Sequence, residues 1–299
     1  MTSPRASLRL AAAVLLAVAL CVPAAVSSSS ASPSAQDRVE PRPDPIYDAM
    51  HSMYNLDFRG AERVLDAHIL ADPLDPVGHA ARAVAHLFAE FDRLRILELD
   101  FFESDDRMTD TVHLTPDPAV RKTIFASTAE TRRLAGNRLA KASADRQALF
   151  AMGMAIGVEN QYTTLIEHRY IRGGSLSKES QAMADRMLAL KPPIYDAYLA
   201  LGSIEYVVAS LNPVYRLLAR FRGLRSSKDL AIEHLQIVTT EGRYYRPYAK
   251  ILLAVFYSRE GKLTQARSLL EELRQSFPQN TLFPREVARI DAKIARGGR

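Results

Sequence analysis

Cysteine is nearly absent. Cys21 is the only one in 299 residues, and it lies inside the apolar run from Leu10 to Val22, so the rest of the chain carries no disulfide, thiol nucleophile or cysteine metal ligand. No second long apolar run follows, which leaves no candidate membrane span beyond the N-terminus. Alternating apolar and polar runs bounded by hairpin turns are also scarce, which argues against a sheet. No nucleophile elbow or phosphate-cradling glycine loop occurs. Nor does one sign of charge dominate: the formal net charge is +5, too mild to imply nucleic acid by itself.

The opening residues place Arg5 and Arg9 before thirteen apolar-run residues, Leu10 to Val22, the layout of a cleaved export signal. Residues 1–35 are read as that signal, with cleavage after Ala35 and with Ala24 and Ser27 as alternative sites. Leu20 stands where a lipidated signal wants Gly, Ala or Ser, which argues against lipid anchoring at Cys21. Export without disulfides points to a bacterial envelope protein, periplasmic or secreted. Removing the signal takes away two arginines and no acid, lowering the formal charge from +5 to +3. Residues 36–45, QDRVEPRPDP, read as a proline-rich tether, and 46–296 as a helical domain.

From Ile46 onward apolar residues recur at three- and four-residue spacing, the signature of helices. The clearest stretch is Lys250-x2-Leu253-Ala254-x2-Tyr257, then Gly261, Ala266-x3-Leu270, Leu273 and Pro278. Phe58, Ala61, Leu65, His68 and Pro73 stand at the same mutual distances as Leu263, Ala266, Leu270, Leu273 and Pro278, which marks Ile46–Ala71 as a first hairpin. Val77–Phe91 reads as the next first helix, after Asp72-Pro73 and Asp75-Pro76. Two long helices, Asp117–Lys141 and Asp145–Tyr170, follow, then Ser177–Leu190, then Tyr198-x2-Leu201-Gly202 opening another hairpin. Gly173-Gly174 reads as a helix stop.

These residues resemble the tetratricopeptide repeat, whose pattern is W-x2-L-G-x2-Y on a first helix, then A-x3-F and P on a second. The resemblance is fullest over residues 231–278, continues over 46–91 and 181–210, and is faintest over 92–180, where long helices and an acidic insert depart from the pattern. It implies an all-α superhelix of about five helical hairpins, with Pro284–Ala295 as a terminal capping helix. Tyr198 and Lys250 are 52 residues apart where an uninterrupted array would give about 34, so an insert lies at Asn212–Lys228.

Ala61, Gly202, Ala231, Ala254 and Ala266 fall where helices should cross, letting Leu65, Leu201, Leu235, Leu253 and Leu270 interlock. Projection of the repeat places Met50, Tyr54, Val84, Phe88, Phe150, Met154, Val158, Leu199, Tyr206, Tyr248, Ile251, Val255 and Arg259 toward the concave face. That lining suits an amphipathic helix or hydrophobic peptide; the alternative is that the chain's own inserts fill it.

Other clusters admit a functional and a plainer reading. The insert's Arg216, Arg220, Arg222, Arg225 and Lys228, with Val214, Leu217, Leu218 and Phe221 on one face, suit an anionic membrane or a loop packed on neighbouring helices. Arg243-Tyr-Tyr-Arg-Pro-Tyr248 interleaves rings and cations as base-stacking surfaces do, yet Tyr245 and Tyr248 equally suit a seal between hairpins. His79, His86 and Glu90 share a helix side as metal ligands would, or are core imidazoles bonded to nearby backbone. The acidic segment Glu98–Asp110 lacks the spacing and glycine of a calcium loop, and Arg132 and Arg133 are candidate partners for it. The reading is a non-catalytic protein- or peptide-binding scaffold, with no cofactor, metal, nucleic acid or small-molecule substrate. A peripheral membrane module is the alternative, and a metal-dependent hydrolase ranks last.

Overall fold

The computed structural model describes residues 44–103, 114–211, 213–214, 216–217 and 226–297. The signal at 1–35, the tether up to residue 43, much of the acidic segment, and Arg220, Arg222 and Arg225 lie outside the described residues.

Helices account for the fold, and no strand occurs among the described residues. In chain order they are α1 (Pro45–Tyr54), α2 (Phe58–Ala71), α3 (Pro76–Arg93), α4 (Leu99–Glu103), α5 (Pro118–Lys141), α6 (Arg146–Gln161), α7 (Tyr170–Leu188), α8 (Tyr198–Ala209), α9 (Lys228–Glu241), α10 (Arg246–Arg259), α11 (Leu263–Ser276) and α12 (Leu282–Ala295). Aspartate starts many of them: the carboxylates of Asp44, Asp57, Asp75, Asp117 and Asp145 accept first-turn amides that would otherwise lack partners. Pro45, Pro76 and Pro118 follow directly, where a missing N–H costs nothing. Asp75-Pro76 is therefore the start of α3 as well as the stop after α2. Asp44-Pro45 likewise belongs to the folded unit, not to the tether.

Neighbouring helices pack in sequence, α1 on α2, α2 on α3, α3 on α5, α5 on α6, α6 on α7, α8 on α9, and so on to α11 on α12. The small residues sit at the crossings as their spacing indicates. Ala61, Ala231, Ala254 and Ala266 are fully buried. A Cβ at Gly202 would lie 2.8 Å from the Ala231 carbonyl oxygen, so glycine there lets α8 and α9 touch backbone to backbone. Leu65, Leu235, Leu253 and Leu270 are buried around these points, and Leu201 is partly buried.

The array does not remain open. Helix α10 and the residues leading into it turn back onto the N-terminal units: Phe88 of α3 meets Tyr248 edge-on at 5.2 Å, and Phe150 of α6 stacks on Tyr244 at 5.3 Å. Tyr54 donates its hydroxyl to the Tyr244 carbonyl at 3.3 Å. Asp44 accepts from Arg243 at 2.6 Å and from the Tyr244 hydroxyl at 3.0 Å. Among the described residues, the C-terminal unit thus packs on inner faces that the sequence assigned to a bound peptide or, as the alternative, to the chain's own inserts.

The middle of the chain differs from its sequence reading. Helix α6 ends at Gln161 and runs into a wide π turn, Tyr162–Ile166, and His168 takes φ 52°, a left-handed conformation that stops a helix. The stop at Gly173-Gly174 is overturned: both glycines are buried inside α7, which begins at Tyr170. A Cβ on Gly173 would lie 2.2 Å from Thr164 Cγ2. That glycine exists for close approach to the π turn, not for termination.

Candidate ligand-binding cavity

The inner faces of α3, α6, α8 and α10 converge without filling the space between them. A partly enclosed cavity of about 290 Å³ remains, walled by Val84, Leu87, Phe88, Met154, Val158, Leu199, Ile204, Leu252 and Val255 together with Phe102 of α4. Such a volume lies near the lower end of small-molecule sites.

Several polar groups on its wall are engaged, whereas Asn160 Oδ1, buried on the same wall, has no hydrogen-bond partner among the described residues. Gln161 Oε1 accepts the Tyr248 hydroxyl at 2.9 Å. Ser203 donates to the Leu199 carbonyl at 2.7 Å, and Thr164 to the Asn160 carbonyl at 2.7 Å. Asp196, itself buried, accepts the backbone amides of Arg243, Tyr244 and Tyr245 at 2.7, 3.0 and 2.8 Å. This one carboxylate fixes the turn into α10 and hence the cavity's lower wall. Burial drives the Tyr245 and Tyr248 phenols far above their usual range, so both stay protonated at neutral pH.

Phe150 and Asp196 also line a second, polar cleft of about 440 Å³, bounded by Asp44, His68, Asp75, Arg146, Gln147, Glu241 and Arg243. Its charges are largely paired: Asp44 with Arg243 and His68 with Asp75 at 2.7 Å. Arg146 donates to the Pro192 carbonyl. The apolar cavity and the polar cleft thus share Phe150 and Asp196 in their walls.

Of the residues assigned to the concave face, Val84, Phe88, Phe150, Met154, Val158, Leu199, Tyr248 and Val255 line the cavity. Met50 and Tyr54 do not; they border a separate pocket of about 230 Å³ between α1, α10 and α11. Tyr206 is buried flat against Phe256, with 3.5 Å between ring centres, and its hydroxyl donates to Glu260 at 3.0 Å. Ile251 is half-buried against the core, and Arg259 donates to the Phe102 carbonyl. Repeat spacing placed these positions on the inner face, but closure of the array turned several of them into core. Asp196, Gly157, Ser203 and Leu252 were missed; the signal was the small-residue pattern of Gly153 and Gly157 on one side of α6.

The other candidate clusters disperse. His79 Nε2 donates to the Pro73 carbonyl at 3.0 Å, and His86 faces Glu62 at 3.7 Å. Burial lowers the His86 pKa. Glu90 is held by both arms of Arg93 at 2.8 and 2.7 Å and accepts the Asp117 amide at 2.8 Å, which anchors the long connection from α3 to α5. No three metal-ligating side chains gather among the described residues. Among the described residues, Arg132 bridges Glu159 and Glu179 at 2.8 and 2.6 Å, tying α5 to α6 and α7, and Arg133 pairs with Glu130 at 2.5 Å; most of the acidic segment lies outside the described residues. In the Arg243–Tyr248 run, Tyr244, Tyr245 and Tyr248 pack inward. Arg216 donates to the Leu211 carbonyl at 2.8 Å, while Val214 and Leu217 beside it are exposed. Comparisons with protein families, with curated proteins and with solved structures returned no match.

Proposed function

We propose that this chain is a non-catalytic binding scaffold of tetratricopeptide-like hairpins, exported to the bacterial envelope, that holds an apolar segment of a protein or peptide. The observation that carries the reading is the convergence of four inner helix faces on an apolar cavity that shares Phe150 and Asp196 with a polar cleft. Sequential packing of helix pairs over small residues supports the repeat resemblance, and rigid stacked hairpins keep a recognition surface preformed.

Peptides selected from a random displayed library against the purified protein test this reading. Selected sequences should share a large apolar residue and should lose binding to an Arg146→Glu/Gln147→Lys variant, both positions being exposed on the cleft. Equal binding to that variant, or no enrichment at all, contradicts it.

A membrane-contacting role draws on one observation, the exposure of Val214 and Leu217 beside Arg216. Sedimentation with vesicles rich in anionic lipid should fall when Arg216, Arg220 and Arg222 become Ser; absence of wild-type sedimentation eliminates it.

A further inference from the structure

Two glycines on the cavity wall suggest what the space is shaped for. Gly153 and Gly157 stand four residues apart on α6 and both face the cavity. At Gly153 a Cβ would lie 2.9 Å from Met187 Cε, the end of a flexible side chain. At Gly157 a Cβ would meet nothing within 4 Å beyond its chain neighbours and the backbone of its own helix. Gly157 is therefore not required by backbone approach, and its φ is not left-handed. A helix interior prefers almost any other non-proline residue. Its effect is to leave the cavity open along the α6 wall.

We infer that the cavity is a binding site for the unbranched aliphatic chain of a small single-tailed amphiphile, whose polar end lies in the adjoining cleft. The apolar wall, from Phe88 and Met154 on one side to Leu199 and Leu252 on the other, takes the chain. Methionine adapts to the contour of a flexible tail. Phe150 and Asp196 line both spaces, and on the cleft rim the polar end meets Arg146 and Glu241, of opposite charge. A compact head of either sign thus finds a partner, so the tail, not the head, carries recognition. Binding of this kind goes beyond the scaffold reading and does not depend on it.

Titration calorimetry with decanoate and with decyltrimethylammonium, both below micelle-forming concentration, tests the inference on the purified protein. Each should bind saturably at one site, while butyrate and tetramethylammonium at equal concentration should not. Gly157→Leu should weaken both long-chain probes at least tenfold without lowering the thermal midpoint. Ser203→Leu, which fills the same space from α8, should do likewise. Gly136→Leu on α5, where added atoms also meet open space, should leave binding unchanged. Wild-type affinity in both filled variants, or equal binding of long and short chains, overturns the inference.

Discussion

Asn280 donates its side-chain amide to the Tyr54 carbonyl at 2.8 Å, a bond that joins residues 226 positions apart. Its carbonyl oxygen accepts the Leu282 amide at 2.9 Å, so one buried side chain both starts α12 and ties it to the end of α1. Nearby, Asn55 accepts the Gln279 amide at 3.2 Å, and Phe277 packs against Tyr54. Truncation at Asn280 would strand a buried carbonyl and a helix-start amide. Asn280→Ala is therefore expected to lower unfolding free energy by about 2 kcal/mol, measured by urea titration, and hydrogen exchange should quicken in α1 as well as in α12.

Glycine substitutions should split by sign. Gly202→Ala drives a methyl into the Ala231 carbonyl and is expected to destabilise by about 1–3 kcal/mol. Gly157→Ala and Gly136→Ala add a methyl to open space within α6 and α5 and are expected to stabilise by up to about 1 kcal/mol. Thermal unfolding of the three variants separates backbone approach from mere small size.

Asp196 holds three consecutive amides at the entry to α10. Asp196→Asn replaces one acceptor oxygen by a donor that faces N–H groups. A loss of about 2 kcal/mol is expected, with amide exchange at residues 243–245 accelerating before that of the α10 interior.

Stability should also respond to acid through Asp44. Desolvation pushes its carboxyl upward, but hydrogen bonds from the Tyr47 amide, Arg243 and Tyr244, with the Arg243 charge, outweigh this and hold it below 3.8. A depressed folded pKa contributes stability that is full above the unfolded value and is lost as pH falls through the folded one. Wild type should therefore exceed Asp44→Asn in urea midpoint at pH 6, and the gap should shrink as pH falls below about 4. A gap that stays constant to pH 2 would place the effect in packing rather than charge.

Local pattern carried much of this fold into view. The spacing of Ala61 and Leu65, and of Ala266, Leu270 and Leu273, marked second helices that do bury those residues, because helical periodicity is a nearest-neighbour property written directly in the chain. Closure was not legible. The contacts of Tyr54 with Tyr244, of Phe88 with Tyr248 and of Asn280 with Tyr54 join segments about 160–230 positions apart, and no short-range spacing encodes them. Gly173 shows the same limit on a smaller scale, since a glycine that terminates a helix and one that admits Thr164 are the same letter. Eight of the concave-face residues reached the cavity, because the inner side of each first helix is set by period; which of those sides meet was decided by the fold's return.

The most direct measurement is diffraction from a crystal held under xenon pressure, since xenon enters apolar cavities and gives strong density. A xenon site in contact with Phe88, Met154 and Leu252 is the expected result, lost in Gly157→Leu. Absence of xenon between α3, α6, α8 and α10, with side chains filling that space, would contradict the convergence on which both proposed binding roles rest.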